Sequence, residues 1–324
     1  MREFEKNETI DLSDSTKLLV LPEVPGYRIV KSIGKGANAL VFKGIDKKSN
    51  RKVAIKVLKP SLQQDNDSLL RFRRELHVAS GLSHPYIIKI FDVGKTGKHC
   101  IIMEYLKYSL KNLRDKKGGK LPKKEALNII RRLAKALEYA HSKGVVHRDI
   151  KPANILFRRS GVPVLADFGL VRNLNSQSDV TKPYAIMGTP PYMSPEQCRA
   201  EKVDNLSDIY NLGVVLFEML SGKLPYNGKN WADLFRQHID PSVPIPLLPP
   251  YAADCQPLID AMMAKDKNMR IDAKQVRLMI EDILSKRGGR YGRRYINRHS
   301  FLLYLMAGLI VALLIVLILI LILM

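Results

Sequence analysis

His147-Arg148-Asp149-Ile150-Lys151-Pro152-Ala153-Asn154, followed after a short apolar stretch by Asp167-Phe168-Gly169, is the part of this chain that decides its architecture. Asp149 is a carboxylate able to orient and deprotonate a hydroxyl. Asn154 and Asp167 add an amide oxygen and a second carboxylate at the spacing that phosphoryl transfer needs. Carboxylate plus amide oxygen is a hard ligand set, suited to Mg²⁺ or Mn²⁺ and not to zinc. Each piece alone is bland, a buried histidine or an Asp-Gly type of turn. The combination in this order is not.

Working toward the N-terminus, Gly34-Lys35-Gly36-Ala37-Asn38-Ala39-Leu40-Val41 carries two glycines that permit close backbone approach to phosphate oxygens, with Ala39 where a third would stand. No Gly-Lys-Ser/Thr closes it, so it is not a Walker A loop. A dinucleotide fingerprint is equally unconvincing, because Val53-Ala54-Ile55-Lys56 follows as a strand ending in lysine. Taken alone, a strand lysine is ordinarily a solvated edge residue. Toward the C-terminus lie Gly188-Thr189-Pro190-Pro191-Tyr192-Met193-Ser194-Pro195-Glu196, then Asp208-Ile209-Tyr210-Asn211-Leu212-Gly213, and Arg270.

In sequence order these motifs closely resemble the eukaryotic-like protein kinase family, and the resemblance runs from about Tyr27 to Leu284. Met-Ser-Pro-Glu-Gln and the compact loops are similar to bacterial membrane-anchored serine/threonine kinases. The resemblance implies an α+β fold of two lobes, a small mainly β N-lobe and a larger mainly α C-lobe. It also implies transfer of the γ-phosphate of ATP to Ser and Thr hydroxyls of proteins, including the chain's own activation segment. Asp149 would then be the base and Lys151 a charge against the transferring phosphoryl group, the form usual for Ser/Thr substrates. Asn154 and Asp167 would hold two Mg²⁺ ions, Mn²⁺ being an alternative. Lys56 would meet the α- and β-phosphates with Glu75 as its carboxylate partner, Glu104 being the alternative carboxylate.

The same resemblance implies a nucleotide site of Ile33, Gly34, Lys35, Gly36, Val41 and Ala54, with Met103 behind the adenine pocket and Glu104 and Leu106 along the hinge. Arg148 would receive a phosphate on the activation segment, with Thr181 the first choice for its site and Ser178 the second. Asp208 would support the catalytic-loop backbone, and Arg270 would pair with Glu196. A catalytically silent scaffold of the same fold is the competing reading. The intact set Lys56, Glu75, Asp149, Asn154 and Asp167 argues against it, since a scaffold has no need of a base and both metal ligands.

Four segments are expected. Residues 1–26 are a flexible lead-in, 27–285 a kinase domain (N-lobe 27–104, C-lobe 105–285), 286–300 a basic juxtamembrane segment and 301–324 a transmembrane helix. Within the N-lobe, alternation predicts strands at Tyr27–Val30, Ala39–Gly44, Val53–Leu58, Ile87–Val93 and Cys100–Glu104, and helical spacing predicts a helix over Ser68–Leu76. In the C-lobe, helices are predicted at Lys123–Ser142, Leu206–Leu220, Trp231–His238, Asp254–Met263 and Ala273–Leu284, with Pro241–Pro250 as a rigid connector.

Phe301–Met324 contains no charged residue and is long enough as a helix to cross a hydrocarbon layer of about 30 Å. Lys286, Arg287, Arg290, Arg293, Arg294 and Arg298 precede it with Tyr291 and Tyr295 interleaved, matching a positive-inside collar that meets anionic headgroups. This collar explains part of the formal net charge of +22. Nucleic acid is the weaker alternative and is not an expected partner. No apolar leader opens the chain. The expectation is therefore a single-pass C-terminal anchor in the cell membrane, a cytoplasmic kinase domain and little or nothing outside. Homodimerisation through the membrane helix is a further expectation, although Gly308 forms no GxxxG pair. The three cysteines are widely spaced and share no CxxC spacing, so neither a disulfide framework nor a zinc site is indicated.

Overall fold

The computed structural model of the chain describes residues 22–36, 39–59, 80–93, 100–168 and 189–285. These residues form two lobes. The N-lobe carries a five-stranded antiparallel sheet of β1 (Tyr27–Lys35), β2 (Ala39–Asp46), β3 (Lys52–Leu58), β4 (Ile90–Val93) and β5 (Cys100–Glu104), in the order β1-β2-β3-β5-β4. The C-lobe holds α1 (Leu110–Lys116), α2 (Lys123–Ser142), α3 (Pro195–Cys198), α4 (Asn205–Ser221), α5 (Trp231–Ile239), α6 (Gln256–Met262) and α7 (Ala273–Leu284). A three-stranded sheet of β6 (Tyr108–Ser109), β7 (Ile155–Phe157) and β8 (Pro163–Leu165) belongs to the same lobe. The predicted helix over Ser68–Leu76 and the apolar run from Phe301 lie outside the described residues. Among the described residues, no helix is long and apolar enough to cross a membrane.

The side-chain period of two along β3 explains how the N-lobe faces the cleft. Val53, Ile55 and Val57 join Phe42, Cys100 and Ile102 in one core, on the face away from the C-lobe. Ala54 belongs to a second cluster with Ile88, Met103, Val164 and Ala166, and Lys56 lies on the same face as Ala54. On β5 the alternation repeats, and antiparallel register sets Ala54 opposite Met103 and Lys56 opposite Ile101. The second cluster thus joins residues of both lobes and forms an apolar ceiling and floor, with Val41, Leu106 and Leu156 half-buried against it.

α2 is helical because Ala126, Leu127, Ile130, Leu133, Ala134 and Leu137 recur at i, i+3, i+4 spacing and are all fully buried. Its ends, Lys123 and Ser142, coincide with those predicted. α4 is buried almost all round, from Ser207 to Leu220, and is the axis of the C-lobe. A Cβ on Gly213 would stand 2.8 Å from Met263 Cγ and 3.0 Å from Met262 Cβ, so only glycine lets α4 and the end of α6 approach this closely. α7 starts at Ala273 and ends at Leu284 as predicted, with Asp272 and Gln275 forming a reciprocal cap.

The fourth strand is shorter than predicted, because Ile87 makes a single parallel bridge to Leu165 and the chain enters the sheet only at Ile90. The predicted Asp254–Met263 helix is in two pieces, a 3-10 segment Pro250–Cys255 running into α6, which ends one residue earlier at Met262. Pro257 at an early position of α6 permits that start. The stretch from Pro241 to Pro249 is neither helix nor strand, as a proline-rich connector requires.

Candidate active site

The loop from His147 to Asn154 is held from below by one carboxylate. Asp208, fully buried near the start of α4, accepts from the backbone N–H of His147 to Oδ2 at 2.9 Å and from that of Arg148 to Oδ1 at 2.8 Å. His141 Nε2, at the end of α2, lies 2.8 Å from Asp208 Oδ2. Arg148 has φ +69, a left-handed conformation uncommon outside glycine, which the two Asp208 contacts pin in place. His147 Nε2 donates to Ala166 O at 2.9 Å, while its Nδ1 accepts from the Asp149 N–H at 3.3 Å. That pairing assigns the neutral Nε2–H tautomer. Its ring meets Phe168 edge-on, centroids 4.6 Å apart.

Asp149 is thereby presented at the cleft with only 8% exposure. Lys151 Nζ lies 2.8 Å from Asp149 Oδ2 and donates to Thr189 Oγ1 at 2.8 Å. The Asn154 amide nitrogen donates to Asp149 O at 2.8 Å and to Asp149 Oδ2 at 3.1 Å, which leaves the amide oxygen as an unused acceptor among the described residues. Ala166 N–H donates to Asn154 O at 2.9 Å, so the two metal-ligand candidates sit on segments tied together through their backbones.

Asp167 follows with φ +68 and reaches across to the N-lobe, where Lys56 Nζ donates to its Oδ1 at 2.8 Å. The Lys56 charge is the main reason the Asp167 carboxyl titrates below its ordinary range, the Lys56 hydrogen bond and the nearby Lys151 charge acting in the same direction against the effect of burial. Asp167 is therefore a candidate ligand favoured in its ionised form, with Lys56 bonded to Oδ1 and not to Oδ2. Carboxylate and amide oxygens at this place match the requirement of Mg²⁺ for one or two hard protein donors plus phosphate oxygens. Among the described residues, no group of three or more His, Cys, Asp or Glu gathers.

The walls of the cleft contain the other candidates. Gly34 and Lys35 end β1, Ile33 is 40% exposed on it, and Gly36 follows. Val41, Ala54, Met103 and Leu106 share the interlobe cluster. Glu104 is not a partner of Lys56. Its carboxylate is gripped by Arg158, one residue past β7, with a pair of contacts at 2.9 and 3.0 Å. Glu75, Ser178 and Thr181 lie outside the described residues.

Sequence reasoning missed His141, Arg158, Leu156 and Ala166, and quoted Thr189 within its motif without giving it a role. Only His141 had a local signal, a polar side chain on the last turn of a helix whose buried face is otherwise apolar. Beyond the cleft, Gln197 Nε2 donates to Arg148 O at 2.7 Å, so the cap of α3 touches the catalytic loop itself. Arg270 meets Glu196 with both terminal nitrogens, at 2.6 and 2.7 Å. Burial would raise the Glu196 pKa, but the hydrogen bonds and charge of Arg270, with the Ser207 hydroxyl, hold it down at about 2.

The profile of the family described as "Protein kinase domain" matches residues 27–279. Over 255 residues the chain is 36% identical to the probable serine/threonine-protein kinase PknB of Lactococcus lactis, covering 77% of this chain and 40% of that protein. Over 219 residues it is 39% identical to the serine/threonine-protein kinase PrkC of Bacillus subtilis, covering 67% of this chain and 34% of that one. A third similar protein is the serine/threonine-protein kinase PknB of Mycobacterium tuberculosis, 35% identical over 253 residues, 75% of this chain and 40% of that protein. The chain spans well under half the length of these relatives.

Proposed function

Because the chain belongs to the protein kinase family, we propose that it is a serine/threonine protein kinase, which transfers the γ-phosphate of ATP to Ser and Thr hydroxyls of proteins, its own activation segment included. The observation that carries this reading is Lys151 between Asp149 and Thr189, 2.8 Å from an oxygen of each, beside the Lys56–Asp167 pair. A base, a cation for the transferring group and a second cation for the phosphates converge there.

Phosphoryl transfer is mainly positioning and charge stabilisation, and the residues divide accordingly. Asp149 accepts the hydroxyl proton and aims the oxygen. Lys151 stands against the equatorial oxygens of the transferring group. Lys56 holds the α- and β-phosphates, and Glu75 is its assigned partner. Val41, Ala54, Met103 and Leu106 enclose the adenine, with Ile33, Gly34, Lys35 and Gly36 over the phosphates and the backbone at Glu104 along the purine edge. Asn154 and Asp167 would hold Mg²⁺ or Mn²⁺, which supplies neutralisation of the phosphate charge. The pKa of Asp167, held below its ordinary range, keeps that ligand anionic well into mildly acid solution.

Regulation follows the same chemistry. A phosphate on Thr181, or on Ser178, would be received by the guanidinium of Arg148, whose backbone is already fixed by Asp208. Residues 27–285 form the catalytic domain, 286–300 a basic segment against anionic headgroups, and 301–324 a single span that holds the domain on the cytoplasmic side of the cell membrane, where a second copy can pair with it. The apolar run and its arginine collar support this placement.

The test is incubation of the full chain in mild detergent with Mg-ATP, followed by mapping of phosphorylated residues by mass spectrometry. Phosphate on serine or threonine, with Thr181 or Ser178 among the sites, is expected. Absence of phosphate on the chain and on added protein substrates would overturn the proposal.

A further inference from the structure

Four cations beside the cleft are not used by anything described above. Lys107, Lys111, Lys116 and Arg159 are all exposed, and among the described residues none has a carboxylate within ion-pairing distance. Their neighbours differ. Arg114 is paired with Glu218 at 2.7 Å, Lys117 with Glu125 at 2.6 Å, and Arg158 with Glu104. The four share a place in the fold. Lys107 Nζ and Lys116 Nζ stand 5.5 and 4.7 Å from the centre of the Tyr108 ring, which is itself 40% exposed. Tyr108 pairs with Phe157 across β6 and β7, and Arg159 follows two residues after Phe157, in the turn that leads to β8. Lys111 lies on the first turn of α1, and Asp115 is the one carboxylate of that helix.

This patch borders the catalytic loop. α1 and β6 both pack against the 3-10 turn Pro152–Asn154, which is continuous with the loop bearing Asp149 and Lys151. Ala153, at the exposed tip of that turn, adds no charge of its own. α1 and β6 thus place the patch next to the loop that a polypeptide must approach for its hydroxyl to reach Asp149.

We infer that the Lys107-Lys111-Lys116-Arg159 patch around Tyr108 selects protein substrates with acidic residues close to the acceptor Ser or Thr. The inference rests on the kinase reading above and names the substrate class for that site. Cations held over an aromatic face are partly pre-ordered, which lowers the entropy lost when a carboxylate docks. Complementary charge at the rim steers encounter and discriminates against basic segments. A lipid surface is the lesser fit. A sheet of headgroups laid on this patch would lie over the turn beside which the acceptor must enter.

The experiment uses the full chain in non-ionic detergent and two peptides with one acceptor core, flanked either by Asp and Glu or by Ser and Gly. The wild-type protein is expected to favour the acidic peptide by about tenfold in kcat/KM, mostly through KM, the size of three exposed ion pairs together. That preference should shrink as salt is raised to about 0.5 M. In K107E/K111E/K116E the ratio between peptides should fall to about one or invert. K107Q/K111Q/K116Q carries the same test should the reversed charges lower expression or thermal stability. Equal use of both peptides by the wild type, or a preference retained by the variants, would overturn the inference. So would a preference that the variants leave unaltered while they lose a wild-type binding to phosphatidylserine vesicles, since that assigns the patch to a lipid surface. Phosphate on neither peptide and none on the chain would instead strike the kinase reading.

Discussion

Arg158 grips both carboxylate oxygens of Glu104, Nε to Oε1 at 2.9 Å and Nη2 to Oε2 at 3.0 Å, while its remaining nitrogen donates to Pro85 O. One side chain of the C-lobe thus ties the end of β5 to the loop that precedes β4, at the place where the two lobes join.

Replacing Arg158 with Ala is expected to loosen that junction. The paired contacts are charge-assisted and about three-quarters buried, so a loss of about 1–2 kcal/mol is expected, a fall of roughly 3–6 °C in thermal midpoint. The KM for ATP should rise several-fold with kcat little altered, because the purine edge and not the phosphoryl group is displaced. An unchanged KM for ATP would dissociate this contact from nucleotide binding.

Asp167→Asn should leave a folded protein that transfers phosphate at least about 100-fold more slowly, since a full ligand charge is lost in the cleft. Lys56 Nζ then faces a neutral amide 2.8 Å away, so the thermal midpoint is a necessary control. Lys56→Met is expected to give a comparable loss. Turnover like wild type at ordinary Mg²⁺ in either variant would refute the role given to that residue.

Asp208 touches no reacting group, so Asp208→Asn tests positioning. One of its oxygens becomes a donor facing the N–H groups of His147 and Arg148, at a cost of about 1–3 kcal/mol for the group left unsatisfied. We expect kcat to fall by one to two orders of magnitude, roughly the rate equivalent of that cost, while KM for ATP stays near its wild-type value. A parallel collapse of nucleotide affinity would mean that the carboxylate supports the whole cleft and not the loop alone.

Acid should destabilise the C-lobe through two buried groups. Glu196, at about 2 in the folded state against roughly 4.5 when unfolded, contributes stability that is complete above its unfolded value and lost as pH falls from there toward 2, in all about 3 kcal/mol. His238 is held neutral, its pKa pushed down to about 3 by burial and by the charge of Lys265, and loses its contribution as pH falls below about 6.5. The thermal midpoint should therefore decline in two stages on acidification. In Glu196→Gln the decline below pH 4.5 should become shallower, leaving only the His238 share down to about 3, from a starting stability lower by about 3–5 kcal/mol because Arg270 is left buried without its partner.

Attachment to membranes should survive about 1 M salt, at which screening acts over roughly 3 Å, because a spanning helix does not depend on ionic contacts. A chain truncated before Phe301 should keep its chemistry and wash free. Release of the full chain by salt alone would leave only the basic collar as its attachment.

What was legible in the sequence has a physical pattern. α2 and α7 were read to their ends because long amphipathic periodicity and capping residues are local signals. α1 was missed, being seven residues with a single buried side chain, Leu110, and so carrying almost no period. Asp149, Asn154 and Asp167 were picked out by residue type and order and Lys56 and Lys151 through the family resemblance, and the structure brings all five to one cleft. The Arg158–Glu104 pair escaped because its members lie 54 residues apart, and nothing in either neighbourhood marks a charge as paired. The same holds for Lys151 and Thr189, 38 residues apart.

The alternation along β3 sets where the chain tolerates length changes. The turn between β2 and β3 is closed by the Asp46 carboxylate, which accepts from Lys48 N–H at 2.9 Å and from the Ser49 hydroxyl at 2.7 Å, with Asn50 at φ +54. Residues added at its tip lengthen an exposed loop and leave every pairing beyond Lys52 as it was. One residue removed between Lys52 and Lys56 would instead rotate the strand by half a period, sending an ammonium into the space around Phe42 and Ile102 and a valine or isoleucine toward Asp167. Of two single-residue indels only a few positions apart, one is silent and the other removes both the charge of the cleft and the core of the lobe.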